Sequence, residues 1–179
     1  IFVKLFDSNG EMLIFELPEK LRYNGETKDK TQSLTLLTSL RSLSPKYKVI
    51  KFRLNSEGLL SHIYTAEESF NVSDIEPNAD FEARPKLNYS GQISHRNGIN
   101  TFSPSFHATG TTIFMNVPND YTDEESYSML SNSSFGDKTY DLSAYDLDLG
   151  GGAGFVLQVS STGGAGSVNK LSPSGIVER

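Results

Sequence analysis

VKLFDSNGEMLIFELPEKL, running from Val3 to Leu21, is two apolar runs folded about a polar turn. The first run alternates around Val3 and Leu5, and the second resumes at Met12 and continues to Leu17. Between them, Asp7-Ser8-Asn9-Gly10 is a turn signal, because Asn and Gly tolerate the positive φ that tight hairpins demand. Pro18 cannot donate to a sheet ladder and ends the second run. The stretch therefore predicts a β-hairpin, and a β-rich fold follows from it.

Moving outward, Leu21-Arg22-Tyr23 reads as a short third strand closed by Asn24-Gly25. Thr31 to Leu43 is the best helix candidate. Leu34, Leu37 and Leu40 recur at i, i+3 and i+6, Asp29 or Thr31 is placed to cap the start, and Ser44-Pro45 stops it. Tyr47 to Leu54 alternates again, Asn55-Ser56-Glu57-Gly58 repeats the Asp/Asn-Ser-x-Gly turn, and Leu59 to Tyr64 supplies the partner strand. Residues 1–66 are expected to form a small β-β-α-β-β unit, barrel-like or a helix-capped sheet.

Residues 67–97 change character. Glu67, Glu68, Asp74, Glu76, Asp80 and Glu82 crowd a stretch with few apolar neighbours. It reads as an acidic linker or long excursion, with Lys86 to Tyr89 a short strand; structureless runs of this length are unusual inside one domain. A second β unit is expected over 98–160, with strands at Ile99–Phe106, Thr111–Val117, Thr139–Tyr145 and Gly154–Ser160. Thr122 to Glu125 resembles a capping box opening a short helix or turn through Leu130. Residues 161–179 read as a Gly/Ser-rich linker to a following module beginning near Ile176-Val177. The fold class is thus mainly β, with one or two short helices and two small barrel- or sandwich-like units.

Composition narrows the function. The net charge of −6 disfavours nucleic acid, because phosphate binding requires clustered Lys and Arg. The chain has no Cys, which excludes disulfides, thiolate metal sites and Cys nucleophiles together. No run approaches the ~20 apolar residues of a membrane span, so no membrane insertion is expected in this segment. It opens on Ile1, inside a strand-like run, and reads as a piece of a longer protein.

The order of VKLFDSNGEMLIFELPEKL, the helix, KVIKFRLNSEGLLSHI (Lys48 to Ile63), TTIFMNVPND (Thr111 to Asp120) and YDLSAYDLDLGGGAGFVLQV (Tyr140 to Val159) resembles β-rich modules of large cell-surface proteins of Gram-positive anaerobes. Those proteins carry S-layer homology segments elsewhere in their chains. The resemblance covers most of residues 1–160. It implies an extracellular or cell-surface location and neighbouring modules or subunits of the same assembly as partners. It brings no active site with it.

No residue pattern demands catalysis. His62 falls inside a predicted strand, and His95 and His107 lie in loop-like sequence. No H-x-x-x-H spacing joins them, so ordinary surface or hydrogen-bonded histidines are expected rather than zinc ligands. Ser is abundant, but no G-x-S-x-G elbow presents one. Two acidic clusters are calcium candidates: Asp120 with Asp123, and Asp146 with Asp148 ahead of Gly150-Gly151-Gly152. Hard cations require several oxygens, and structural calcium is the chemistry these would serve. The competing readings are a capped turn for the first and a hairpin with outward polar residues for the second. The same carboxylates would also suit a glycosidase pair, although nothing in the sequence fixes their separation.

Three functions fit. The chain reads first as a non-catalytic structural or interaction module, second as a virion or phage-tail structural protein, and third as a carbohydrate- or ligand-binding domain. The third would offer Tyr121, Tyr127, Tyr140 or Tyr145 as stacking surfaces for a glycan.

Overall fold

A computed structural model describes residues 1–66, 84–96, 101–103, 106–160 and 177–178. The described residues are mainly β with one α-helix. It divides into two compact units: Ile1–Leu5, Leu13–Pro85 and Gly175–Arg179 form the first, and Phe6–Met12 with Lys86–Ser174 the second.

In the first unit, β1 (Phe2–Phe6) and β2 (Met12–Glu16) are neighbours in a three-stranded sheet whose other edge is β13 (Val177–Glu178). A second sheet runs in the order β4-β3-β6-β5, built from β3 (Lys20–Tyr23), β4 (Glu26–Asp29), β5 (Ile50–Leu54) and β6 (Leu60–Thr65). Of the two expected forms, barrel-like or helix-capped sheet, the described residues of the unit have open sheets with a helix and no closed barrel. β3 and β4 are joined by Asn24 and Gly25, both at positive φ (49° and 91°), the backbone that a two-residue hairpin turn requires.

The helix α1 (Lys30–Leu40) starts at Asp29 through a reciprocal box. The Asp29 carboxylate accepts from the Gln32 N–H at 2.8 Å, and the Gln32 side-chain oxygen accepts from the Asp29 N–H at 3.1 Å. These bonds satisfy donors that the first turn leaves unpaired. Its buried face is Ser33, Leu37 and Leu40, the 3.6-residue stripe, rather than the Leu34-Leu37-Leu40 row expected. Three-residue steps drift around a helix, which leaves Leu34 only partly buried. The core gathers Val3, Leu5, Leu17, Leu21, Leu37, Leu40, Leu60 and Ile63.

In the second unit, six strands run in the order β10-β9-β12-β11-β7-β8. They are β7 (Leu87–Arg96), β8 (Thr101–Ser103), β9 (Phe106–Pro118), β10 (Ser128–Leu130), β11 (Thr139–Tyr145) and β12 (Gly152–Ser160). β12 lies parallel to β9 and antiparallel to β11. β8 also meets β9, but only through Thr101↔His107 and Phe102↔Phe106, so the sheet curls toward its start without closing along its length.

Several boundaries differ from the sequence expectation. Residues 87–96 are a full strand in the second unit, so the acidic stretch does not extend to 97; the rest of it, 67–83, lies outside the described residues, as do 161–176 of the predicted Gly/Ser linker. Val177 and Glu178 pair with Lys4 and Val3 of β1. Of the short helix or turn expected through Leu130, the structure has a single 3-10 turn at Glu124–Ser126, followed by β10. Asp120, not Thr122, holds the turn there: its carboxylate accepts from the Thr122 N–H at 2.9 Å and the Thr122 hydroxyl at 2.7 Å.

Candidate functional site

The acidic and amide side chains singled out by sequence sit mostly in turns, and three turns share one bonding scheme. In each, a carboxylate or amide oxygen accepts main-chain N–H groups two and four residues on. Asp7 accepts from Asn9 (2.9 Å) and Glu11 (3.0 Å). Asn55 accepts from Glu57 and Leu59, both at 2.9 Å. Asp148 accepts from Gly150 and Gly152, both at 2.8 Å.

The backbone repeats as well. The glycine at the fourth position donates to the first residue's carbonyl in every case, over 3.2 Å at Gly10, 3.0 Å at Gly58 and 3.0 Å at Gly151. Each of those glycines has positive φ: 86°, 79° and 83°. An L side chain rarely adopts that conformation, which is why glycine stands there. The Gly150-Gly151-Gly152 run is therefore a hairpin tip joining β11 and β12, as the competing hairpin reading expected.

The four calcium candidates fall into two places. Asp146, at φ 52°, accepts from the Lys86 N–H at 2.9 Å, and Asp148 holds its own turn. Asp120 holds Thr122, and Asp123 accepts a short hydrogen bond from the Ser126 hydroxyl. Each carboxylate already has an oxygen committed. Among the described residues, no group of three or more His, Cys, Asp or Glu side chains could hold a metal ion. The geometry thus gives the calcium reading no further support. Asp148 is held below the usual carboxylate range by the N–H groups of Gly152 and Gly150, with a smaller contribution from His107.

The tyrosines proposed for stacking are mostly inside. Tyr127, Tyr140 and Tyr145 are buried, and only Tyr121 is partly open. The Tyr127 hydroxyl donates to the Tyr121 carbonyl at 2.8 Å. Burial, with Asp120, Asp123 and Glu124 nearby, pushes the Tyr127 phenol far above its ordinary range. With these three rings buried, a glycan platform built on the four tyrosines loses three of its members.

Two polar features went unnoticed in the sequence. In the first unit, Arg84 is buried and donates to the carbonyls of Thr65 (2.8 Å) and Ala66 (3.0 Å) and to the Thr65 hydroxyl (3.2 Å). Asn24 completes this knot: its Nδ2 donates to Thr65 Oγ1 and its Oδ1 accepts the Thr65 N–H, both at 2.9 Å. Burial raises the adjacent Tyr23 phenol, partly offset by a hydrogen bond with Thr65 and by the Arg84 charge.

In the second unit, His95 lies in β7 and His107 in β9, not in loops. His95 is buried among aromatic rings, 4.7 Å from the Phe102 centroid and 5.8 Å from that of Phe135. The rings beside it interlock: Phe102 stacks on Phe106 at 4.8 Å, and Phe135 meets Phe102 and Tyr140 edge-on at 5.2 and 4.9 Å.

No helix among the described residues is long and apolar enough to cross a membrane. Compared with known proteins, the chain matches no family model, no curated protein and no solved structure.

Proposed function

We propose that this chain is a non-catalytic structural or interaction module of a larger extracellular bacterial surface protein, serving spacing, assembly or display. The observation that supports this reading is the thrice-repeated turn. Side chains that would carry chemistry on an enzyme instead fix the hairpin tips at Asp7, Asn55 and Asp148. Each tip is held by two side-chain bonds as well as the backbone, an arrangement suited to bearing load and to presenting fixed edges to neighbours.

The test is labelling of intact cells of the producing organism with antibody raised against residues 1–160. Label on unpermeabilised cells, with the antigen in the wall fraction, is the expected result. Label that appears only after lysis would overturn the location. Hydrolysis of wall polysaccharide by the purified chain would overturn the non-catalytic role.

A further inference from the structure

We infer that the outward face of the four-stranded sheet in the first unit binds an anionic glycan, with Arg22, His62 and Arg53 as its central row and Lys20 and Lys51 beside it. The inference names a partner class for the interaction module proposed above and rests on that reading.

Strand register builds the row. In β3 the buried positions are Leu21 and Tyr23, so Lys20 and Arg22 take the other face, and both are exposed. Arg22 stands opposite His62 of β6, and His62 stands opposite Arg53 of β5. Residues paired in register share a face of the sheet, so the three side chains line up across three strands. Lys51 stands opposite Tyr64, two residues along β5 on the same face. Lys51 and Arg53 are exposed, and His62 is half-buried. On β4, Thr27 is opposite Arg22, and Asp29, opposite Lys20, accepts from the Gln32 N–H in the cap of α1. Arg22 and Lys51 also interact within the chain; what they bring to the face is positive charge at fixed positions. Four cations thus gather on one face of a chain whose net charge is −6.

The face is preformed. Tyr64, only 2 % exposed, is its floor: the Arg53 guanidinium lies 5.7 Å from the ring centroid, and the His62 ring stacks on it at 6.0 Å. These contacts limit the rotamer freedom that binding must otherwise remove. The Ser61 hydroxyl donates its proton to the Arg53 carbonyl at 3.0 Å, so toward His62 Nδ1, 2.9 Å away, it acts as acceptor. Nδ1 is then the protonated nitrogen of the neutral ring, and Nε2 keeps a lone pair.

This combination selects the ligand. Guanidinium forks hold carboxylate or sulfate oxygens through paired bonds. A neutral imidazole between them accepts a hydroxyl proton, which a sugar ring supplies and the phosphodiester backbone of DNA does not. Neighbouring strands lie about 4.8 Å apart, so the main chains of Arg22 and Arg53 are about 10 Å apart, a span comparable to a disaccharide. A charged polysaccharide lying across the strands meets cation, hydroxyl acceptor and cation in turn. Nucleic acid fits less well. Tyr64 is buried and offers no surface for base stacking, and the net negative charge opposes a polyphosphate.

The test measures binding of the full chain to a sulfated oligosaccharide (a heparin fragment) and a carboxylated one (an oligogalacturonate), with neutral dextran and single-stranded DNA beside them. At least one charged glycan should bind, more weakly as salt rises, and Arg22→Gln combined with Arg53→Gln should lower its affinity at least about tenfold. Arg22→Lys with Arg53→Lys should keep part of the salt-sensitive binding. Lys86→Gln and Lys138→Gln, at exposed cations of the second unit, should bind as wild type does. Failure of both charged glycans to bind, tighter binding of dextran or DNA than of either, or equal weakening by the second-unit variants would overturn the inference. If the double variants do not fold, wild-type amide signals decide: the oligosaccharide should shift those of β3, β5 and β6, and shifts confined to other strands would sink the idea. Binding is measured on purified protein, so its failure leaves the surface location standing, and label confined to lysed cells overturns that location without altering the binding result.

Discussion

The guanidinium of Arg84 is fastened to the main chain of Thr65, with Nε donating to its carbonyl at 2.8 Å while Nη2 reaches its hydroxyl at 3.2 Å. Arg84 also holds the Ala66 carbonyl at 3.0 Å, so one side chain ties together residues separated by an acidic stretch in sequence. Arg84→Ala should destabilise the first unit by about 2–3 kcal/mol, because buried carbonyls lose their donors. Arg84→Lys should recover only part of this, since an ammonium lacks the planar fork. Urea unfolding followed by circular dichroism, with amide exchange in β6, measures both.

Asp148 gives a pH-dependent prediction for the β11–β12 hairpin. Its carboxyl is held low in the folded state by the Gly152 and Gly150 N–H groups. The stabilisation is present above the unfolded value, near 3.8, and is lost as pH falls through the depressed folded value. Amide protection at Gly150 and Gly152 should fall below about pH 4. Asp148→Asn should retain the bonds and remove that acid response.

The glycines of the same hairpins separate two kinds of cost. At Gly152 a Cβ would lie 2.6 Å from Thr109 Cγ2 and 2.7 Å from Asp148 Oδ2. Gly152→Ala should therefore cost about 1–3 kcal/mol through overpacking and disturbance of the turn. Gly58 has φ +79° and open space around it, so Gly58→Ala should cost only the backbone strain, about 1–2 kcal/mol. Thermal unfolding of the two variants, with exchange at each tip, distinguishes them.

Tyr127→Phe removes the bond to the Tyr121 carbonyl and should cost about 1 kcal/mol. It should also change the alkaline limb of stability. The folded phenol is raised, so its contribution is intact below the ordinary tyrosine value of about 10 and is lost as pH climbs through the folded value. Tyrosinate absorbance against pH should lose one late-titrating ring on going from wild type to the variant, while Tyr23 keeps its own raised titration in both.

The hairpins at Asp7 and Asn55 were legible because a short acceptor side chain and a glycine frame each turn between apolar runs. The third, at Asp148, was obscured: three consecutive glycines hide which one occupies the left-handed position. Strand β7 was read only to Tyr89, because Gly91 and His95 occupy inward positions where an apolar residue would have revealed the alternation. The helix was readable from its cap at Asp29 and its leucines. The segment after Thr122 was not, because an acidic run after a hydroxyl residue resembles a capping box whether or not a helix follows.

The polar knot at Thr65 and the buried ring of His95 were not legible for a different reason. Each depends on partners distant in sequence: Arg84 and Asn24 for Thr65, and Phe102, Phe135 and Gly136 for His95. Local pattern supplies secondary structure, but burial of a single polar side chain is decided by which strands pair.

DSNGE, NSEGL and DLGGG form the same five-residue hairpin loop at Asp7, Asn55 and Asp148. The scheme prescribes an oxygen-bearing side chain at the first position and glycine at the fourth, while the second, third and fifth residues differ among the three tips. At the second position stand Ser8, Ser56 and Leu149, the last fully exposed. The tips are thus natural splice points, where short peptides can be exchanged or displayed while the strands on either side keep their register.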